Sequence, residues 1–259
     1  MSPPHRRNDR NARHSRGFPT HPPQGSDWLW GRHAVLAALV NPHRTGFRRL
    51  LLAPDKTVPD SGADARRPKP EILDNREIAR LLPQGAIHQG YALLPEPLEP
   101  IELDEMATPA RGVLLMLDQV TDPQNVGTIL RSAAAFGARG VILQDRHAPA
   151  ITGVLAKAAA GAVDLVPLAR VTNLSRALGR LSELGWRSVG LDGSAKASLE
   201  EALDGSPTVL VIGSEGEGLR RLVAEHCDAV ARIATAGGFE SLNVASAVAV
   251  ALHEAVKLA

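Results

Sequence analysis

The chain has 259 residues, 44% of them hydrophobic and 22% charged, with a formal net charge of +1. That composition supports a folded core and argues against general disorder, and no apolar run approaches the roughly 20 residues of a membrane-spanning helix. A single Cys excludes an internal disulfide framework and a multi-cysteine metal site, and fits a reducing compartment.

Charge is unevenly placed. Residues 1–25 hold five Arg, three His and five Pro against one Asp. Residues 1–27 therefore read as a disordered basic tail, unable to bury enough apolar surface to fold and attractive to polyanions such as RNA. An unselected solubilising tail would have the same composition. It lacks the apolar centre of a secretory signal.

Order is expected from "WLWGRHAVLAALVNP", where Val35, Leu36 and Leu39 suit a helix face and Asn41-Pro42 ends it. "FRRLLLA" reads as a strand, "PDKTVPDSGADARRPKP" as a loop, "EILDNREIARLL" as a helix and "AIHQGYALLPEPLEP" as a strand running into a linker. Residues 28–98 thus form a small α/β unit, and residues 99–111 link it to a second unit. From residue 112, apolar strands at "GVLLMLDQV", "RGVILQD", "AVDLVPLA", "WRSVGLD" and "TVLVIGSE" alternate with helical stretches at 126–136, 150–160 and 173–185. Continuous apolar strands between helices predict an α/β fold with a mostly parallel sheet covered on both faces. A last helix, "SLNVASAVAVALHEAVKLA", is rich in small residues and suits close packing.

In such sheets ligands bind beyond the carboxyl ends of the strands, and three strand ends carry unusual residues. In "DPQNVGTILRSAAAFG", Asp122-Pro123 sets a turn, Asn125 is placed to cap the helix, and Arg131 lies off the buried stripe. A long helical side chain leans toward its helix N-terminus, so Arg131 can return to the strand end and hold a phosphate. An ordinary cap with a surface Arg explains the same spacing. In "VIGSEGEGL", the Gly-x-x-Gly-x-Gly order matches neither the dinucleotide fingerprint nor the phosphate loop. Ser214 and Glu217 would suit a capping box, but three glycines in six residues suggest a tight turn or close ligand approach, with Glu215 at its tip. In "ATAGGFESLNVAS", a helix cap accounts for Ser241 or Asn243 but not for both.

Other chemistries lack support. His33, His88, His226 and His253 have no metal-ligand spacing, so no metal is expected. There is no Gly-x-Ser-x-Gly elbow for a hydrolase, and 3% aromatic residues are too few for a base-stacking sheet.

Together and in order, "DPQNVGTILRSAAAFG", "VIGSEGEGL" and "ESLNVASAVAVALHE" resemble the three signature motifs of the SpoU-type (TrmH family) RNA ribose 2′-O-methyltransferases of the SPOUT superfamily, over residues 112–259. "WGRHAVLAAL" and "HQGYALL" resemble the small α/β (L30e-like) RNA-binding domain of the branch that methylates guanosine in 23S ribosomal RNA. The resemblance implies a C-terminal trefoil knot, S-adenosylmethionine as cofactor, a homodimer and a cytoplasmic location without membrane contact. It implies that Gly213, Ile233 and Leu242 line the cofactor site. It assigns the reaction site to Asn125, Arg131, Glu215, Ser241 and Asn243. Arg131 would clamp a phosphate and stabilise the emerging alkoxide, since a guanidinium is a poor base. Asn125 and Asn243 would orient the ribose and Arg131, with Ser241 and Glu215 supporting them. One departure stands out: the family commonly has Ile-Pro-Met where this chain has Ile233-Ala234-Thr235. Two alternatives stay open, a transfer RNA 2′-O-methyltransferase of the same family and a non-catalytic RNA-binding relic.

Overall fold

The computed structural model describes residues 27–59, 66–236 and 242–258. Among them lie two sheets. The N-terminal unit comprises β1 (Leu29–Trp30), α1 (Arg32–Val40), β2 (Phe47–Leu52), β3 (Glu71–Ile72), α2 (Asn75–Leu81) and β4 (Tyr91–Pro95), with sheet order β1-β4-β2-β3. The helix expected over "EILDNREIARLL" begins later than its periodicity suggested. Asp74 accepts from the backbone N–H groups of Arg76 and Glu77, and Glu77 reaches back to Asp74, a reciprocal cap that starts α2. Glu71 and Ile72 are thereby left extended and pair in parallel with Leu51 and Leu52.

The joint carries its own short helix, α3 (Leu103–Ala107), whose Met106 and Ala107 are buried. The larger unit comprises β5 (Val113–Leu117), α4 (Pro123–Ala135), β6 (Gly140–Gln144), α5 (Gly153–Ala158), β7 (Leu168–Val171), α6 (Leu174–Glu183), β8 (Arg187–Leu191), α7 (Leu199–Ala202), β9 (Thr208–Ile212), α8 (Arg221–Glu225), β10 (Ala229–Ala231) and α9 (Val244–Leu258). Its strands run in the order β10-β8-β9-β5-β6-β7, and every pairing is parallel. The strand expected over "AVDLVPLA" is shorter than its apolar run. Ala162–Asp164 forms a 3-10 turn after Gly161, which takes a left-handed φ of 95°, and extended pairing begins at Leu168.

The pleat explains why the central strands are apolar throughout. Val113, Leu115 and Leu117 of β5 face one layer, with Ile129 and Leu130 of α4 and Val248 and Leu252 of α9. Leu114 and Met116 face the other, with Leu178 and Leu181 of α6 and Met106 of α3. Alternate side chains thus enter opposite layers, and a strand buried on both faces has no polar face to show. Truncating a central contact such as Ile129→Ala would cost about 2–5 kcal/mol.

Candidate active site

β5 sits in the middle of the sheet beside β9. The chain leaves β5 toward β6 on one side, and leaves β9 toward β10 on the other. The loops therefore diverge and open a crevice at their carboxyl ends, the position where parallel sheets bind ligands. Asn125, Glu215 and Asn243 meet there.

The loop after β9 is shaped by glycine. Ser214 and Gly218 exchange two backbone hydrogen bonds of 3.1 Å, folding the loop back on itself. Gly216 and Gly218 take left-handed φ values of 91° and 68°. Gly213 is buried, and a Cβ there would overlap the backbone of Gly218. Position 213 has no room for a side chain and positions 216 and 218 need a left-handed backbone, which answers why glycine recurs in this run. Ser214 pairs across the loop with Gly218, and the helix beyond it starts only at Arg221, with no side-chain cap.

Glu215 projects from the tip of that loop. Its Oε1 accepts from Asn243 Nδ2 at 2.7 Å, Asn125 Nδ2 at 3.3 Å and the backbone N–H of Val244 at 3.3 Å. Asn243 Nδ2 also donates to Asn125 Oδ1 at 3.2 Å. Asn243 Oδ1 in turn accepts from the N–H groups of Ala245 and Ser246, capping α9. Asn243 is therefore both a cap and a site residue. Residues from three separated segments close into one network. Its carboxylate sits at the N-terminal, positive end of a 15-residue helix.

Asn125 does not cap α4. Asp122 does, accepting from the N–H of Gln124 at 2.9 Å with Pro123 in the first turn. Because Asp122 takes that role, the amide of Asn125 is free to meet Glu215. Arg131 lies six residues further along α4, about 9 Å along the axis at 1.5 Å per residue. It is exposed, on the same stripe as Gln124 and Thr128, and among the described residues it makes no hydrogen bond to the network. Ile233 is half-buried, packed on the main core just beyond β10, while Leu242 is exposed at the entrance to α9. Ser241, Gly237 and Gly238 lie outside the described residues.

Sequence reasoning passed over a further group. Asp118, wholly buried at the end of β5, accepts from Arg220 Nε at 2.7 Å and from the Arg220 backbone N–H at 3.0 Å. Arg220 Nη2 also donates to Gln144 Oε1 at 3.0 Å, at the end of β6. This pairing anchors the far end of the glycine loop to the central strands. Gln119, next in the chain, takes a left-handed φ of 60°, unusual for a side-chain-bearing residue and a form of strain that clusters at functional sites. The signal was present: an Asp closing an apolar strand, with an Arg pair after the glycines. Beneath the loop, burial and the charges of Asp228 and Asp118 push the Cys227 thiol up to about 12, so it has no nucleophilic role at neutral pH.

The crevice offers the backbone groups of the glycine loop and the carboxylate of Glu215, and the residues that follow β10, Ile233, Ala234 and Thr235, are apolar or small. That donor set fits a flat heterocycle and a positively charged centre. Among the described residues no group of three His, Cys, Asp or Glu is placed to hold a metal ion.

Comparison with known proteins converges on the same segment. Residues 112–253 match the family model described as the SpoU rRNA Methylase family. An uncharacterized tRNA/rRNA methyltransferase of Synechocystis sp. is 37% identical over an alignment covering 92% of this chain and 66% of the relative. Another from Mycolicibacterium smegmatis is 43% identical, covering 65% of this chain and 55% of the relative. The chain thus spans roughly half to two thirds of these relatives. Among solved structures, an AdoMet-bound rRNA methyltransferase from Sinorhizobium meliloti superposes with a TM-score of 0.73 at 25% identity, covering 90% of this chain and 87% of that one. The SpoU methyltransferase AviRb from Streptomyces viridochromogenes, also with AdoMet, gives a TM-score of 0.73 at 24% identity with 90% of both chains covered, a likeness of fold.

Proposed function

The chain belongs to the SpoU rRNA methylase family, and from that premise we propose that it is an S-adenosylmethionine-dependent RNA ribose 2′-O-methyltransferase, with a guanosine of 23S ribosomal RNA as its target. The observation that carries this reading is the closure of Asn125, Glu215 and Asn243 into one network at the carboxyl ends of β5 and β9.

Gly213, Ile233 and Leu242 would hold the cofactor, with the glycine loop supplying backbone contacts; the C-terminal segment would complete the site as a trefoil knot. When bound, S-adenosylmethionine supplies a methyl group on a sulfonium centre. A ribose hydroxyl is a poor nucleophile at neutral pH and needs alignment and proton removal. Asn125 and Asn243 orient the ribose. The Glu215 carboxylate holds both amides by accepting from them, and Ser241 supports the same network. Arg131, exposed and without a bond to the network, is available to clamp the neighbouring phosphate and to stabilise negative charge developing on the 2′-oxygen. The N-terminal unit binds RNA and selects it. The apolar and small residues exposed on α9, Val250 and Val256 among them, support a homodimer across that face.

The experiment is label transfer from methyl-labelled S-adenosylmethionine to unmodified 23S ribosomal RNA and, separately, to bulk transfer RNA. Label at one guanosine of the 23S RNA is the expected result. Label in transfer RNA alone keeps the chemistry and overturns the substrate. No label in either overturns the reading.

A further inference from the structure

The two units are joined by more than apolar contact. Arg44, after α1, and Asp164, in the 3-10 turn before β7, have side chains only 2% exposed each. The guanidinium grips the carboxylate with two bonds, Nε to Oδ1 at 2.7 Å and Nη2 to Oδ2 at 3.1 Å. Its third nitrogen, Nη1, donates to the backbone carbonyl of Glu96 at 3.0 Å, where the chain leaves the N-terminal sheet. Asn41 Nδ2 adds a bond of 2.9 Å to the same carboxylate. One buried carboxylate of the methyltransferase unit is thus held from the end of α1, and the residue holding it also ties down the exit strand.

A buried ion pair gains little stability over apolar packing of equal volume, because both charges lose their water. It does impose geometry. A forked guanidinium–carboxylate pair has one good alignment, whereas apolar faces can slide. The surrounding junction is equally intolerant of sliding. A Cβ on Gly153 would overlap the Trp30 ring, and one on Gly161 would press on the His33 carbonyl. A second polar latch joins the units: Gln89, held at a left-handed φ of 57°, accepts from Lys157 Nζ at 3.3 Å and from the Arg32 N–H at 3.2 Å.

We propose that Arg44 and Asp164 are positioning residues that lock the N-terminal unit in one orientation on the methyltransferase unit, so that the reach from RNA grip to the Asn125–Glu215–Asn243 network is set by the protein and not by the RNA. The orientation half of this stands alone; the substrate half rests on the RNA methyltransfer reading above.

The test replaces the pair by Arg44→Met with Asp164→Leu, which removes both charges without stranding either, and by Asp164→Asn, which keeps the shape. Spin labels are placed at Arg80→Cys on α2 and Arg176→Cys on α6, two exposed positions, one on each unit. The parent should give one narrow distance distribution and both variants a broadened one. With unmodified 23S ribosomal RNA transcript as substrate, KM should rise about tenfold or more while kcat stays within about threefold and S-adenosylmethionine affinity is unchanged. A merely structural role would lower melting temperature while leaving the label distances narrow and KM unmoved. Distances that stay narrow in both variants overturn the lock. Distances that broaden without a change in KM overturn its role in substrate selection. Should the parent methylate no RNA, the methyltransfer reading fails, and the distances still decide the lock.

Discussion

Asn243 Nδ2 lies 2.7 Å from Glu215 Oε1, joining the start of the last helix to the tip of the loop after β9. The two residues stand 28 positions apart in sequence. Their bond, with Asn125 completing it, converts three strand ends into one site.

Glu215→Gln keeps the shape and one acceptor oxygen but removes the negative charge and replaces the second oxygen by an NH2 that can only donate. The bonds to the two amides lose their charge assistance, and the amides are held less firmly. Turnover should fall by roughly 10²–10³, the range seen when one preorganised polar group is lost. Thermal stability should stay within a few degrees. Single-turnover label transfer and a melting curve check both halves.

Asn243 has two roles, and two substitutions separate them. Asn243→Ala removes the acceptor for the Ala245 and Ser246 N–H groups, and should cost about 0.5–2 kcal/mol with loss of turnover. Asn243→Asp preserves the cap but sets a second carboxylate against Glu215. It should melt near the parent and turn over as poorly as Asn243→Ala. Denaturant unfolding with kcat for both variants decides it.

Gly213→Ala should act on cofactor affinity. The added methyl overlaps the Gly218 backbone, so the loop must open. A cost of about 1–3 kcal/mol is expected from such overpacking. Affinity for S-adenosylmethionine should drop by on the order of tenfold or more, each tenfold being about 1.4 kcal/mol. Gly216→Ala, at φ 91° in open space, strains the backbone without that overlap and should lose less. Calorimetric titration of the cofactor distinguishes the two.

Cys227 predicts an alkaline limit. Its folded thiol is pushed up to about 12, above the ordinary value of 9.0. Between those values the unfolded chain gives up its proton while the folded chain keeps it. The unfolded state then binds fewer protons, so stability falls as pH rises through that window. Cys227→Ala should flatten the fall, read from melting temperatures between about pH 9 and 11, inside that window. Alkylation of the native protein at pH 8 should be slow and become fast in denaturant.

Much of the fold and site was legible from residue pattern. The α/β class came from apolar strands alternating with helices, because strands buried on both faces cannot carry a polar stripe. Glu215, at a glycine-rich tip, and Asn243, beside a second cap candidate, are left unexplained by local structure in the sequence; Asn125 reads there as an ordinary helix cap, and only the resemblance of its motif assigns it to the site. Other features depend on long-range partners that local patterns do not carry. The strand at Glu71–Ile72 exists because β2 offers a free edge and Asp74 delays the helix. The bond that gives Asn125 its place comes from Glu215, ninety positions away, while the cap that frees it is the local Asp122-Pro123 pair. The pairs Asp118–Arg220 and Arg44–Asp164 join residues 102 and 120 positions apart, so an Asp closing an apolar strand or an Arg after the glycines marks one partner without naming the other.

The decisive question is where the methyl group lands. The purified chain is given methyl-labelled S-adenosylmethionine and unmodified 23S ribosomal RNA, the RNA is hydrolysed in alkali, and the products are separated. A 2′-O-methyl group removes the hydroxyl that alkali needs, so ribose methylation predicts label in an alkali-resistant dinucleotide, lost in Glu215→Gln. Label on a base in alkali-sensitive mononucleotides, or label that persists in Glu215→Gln, would contradict it.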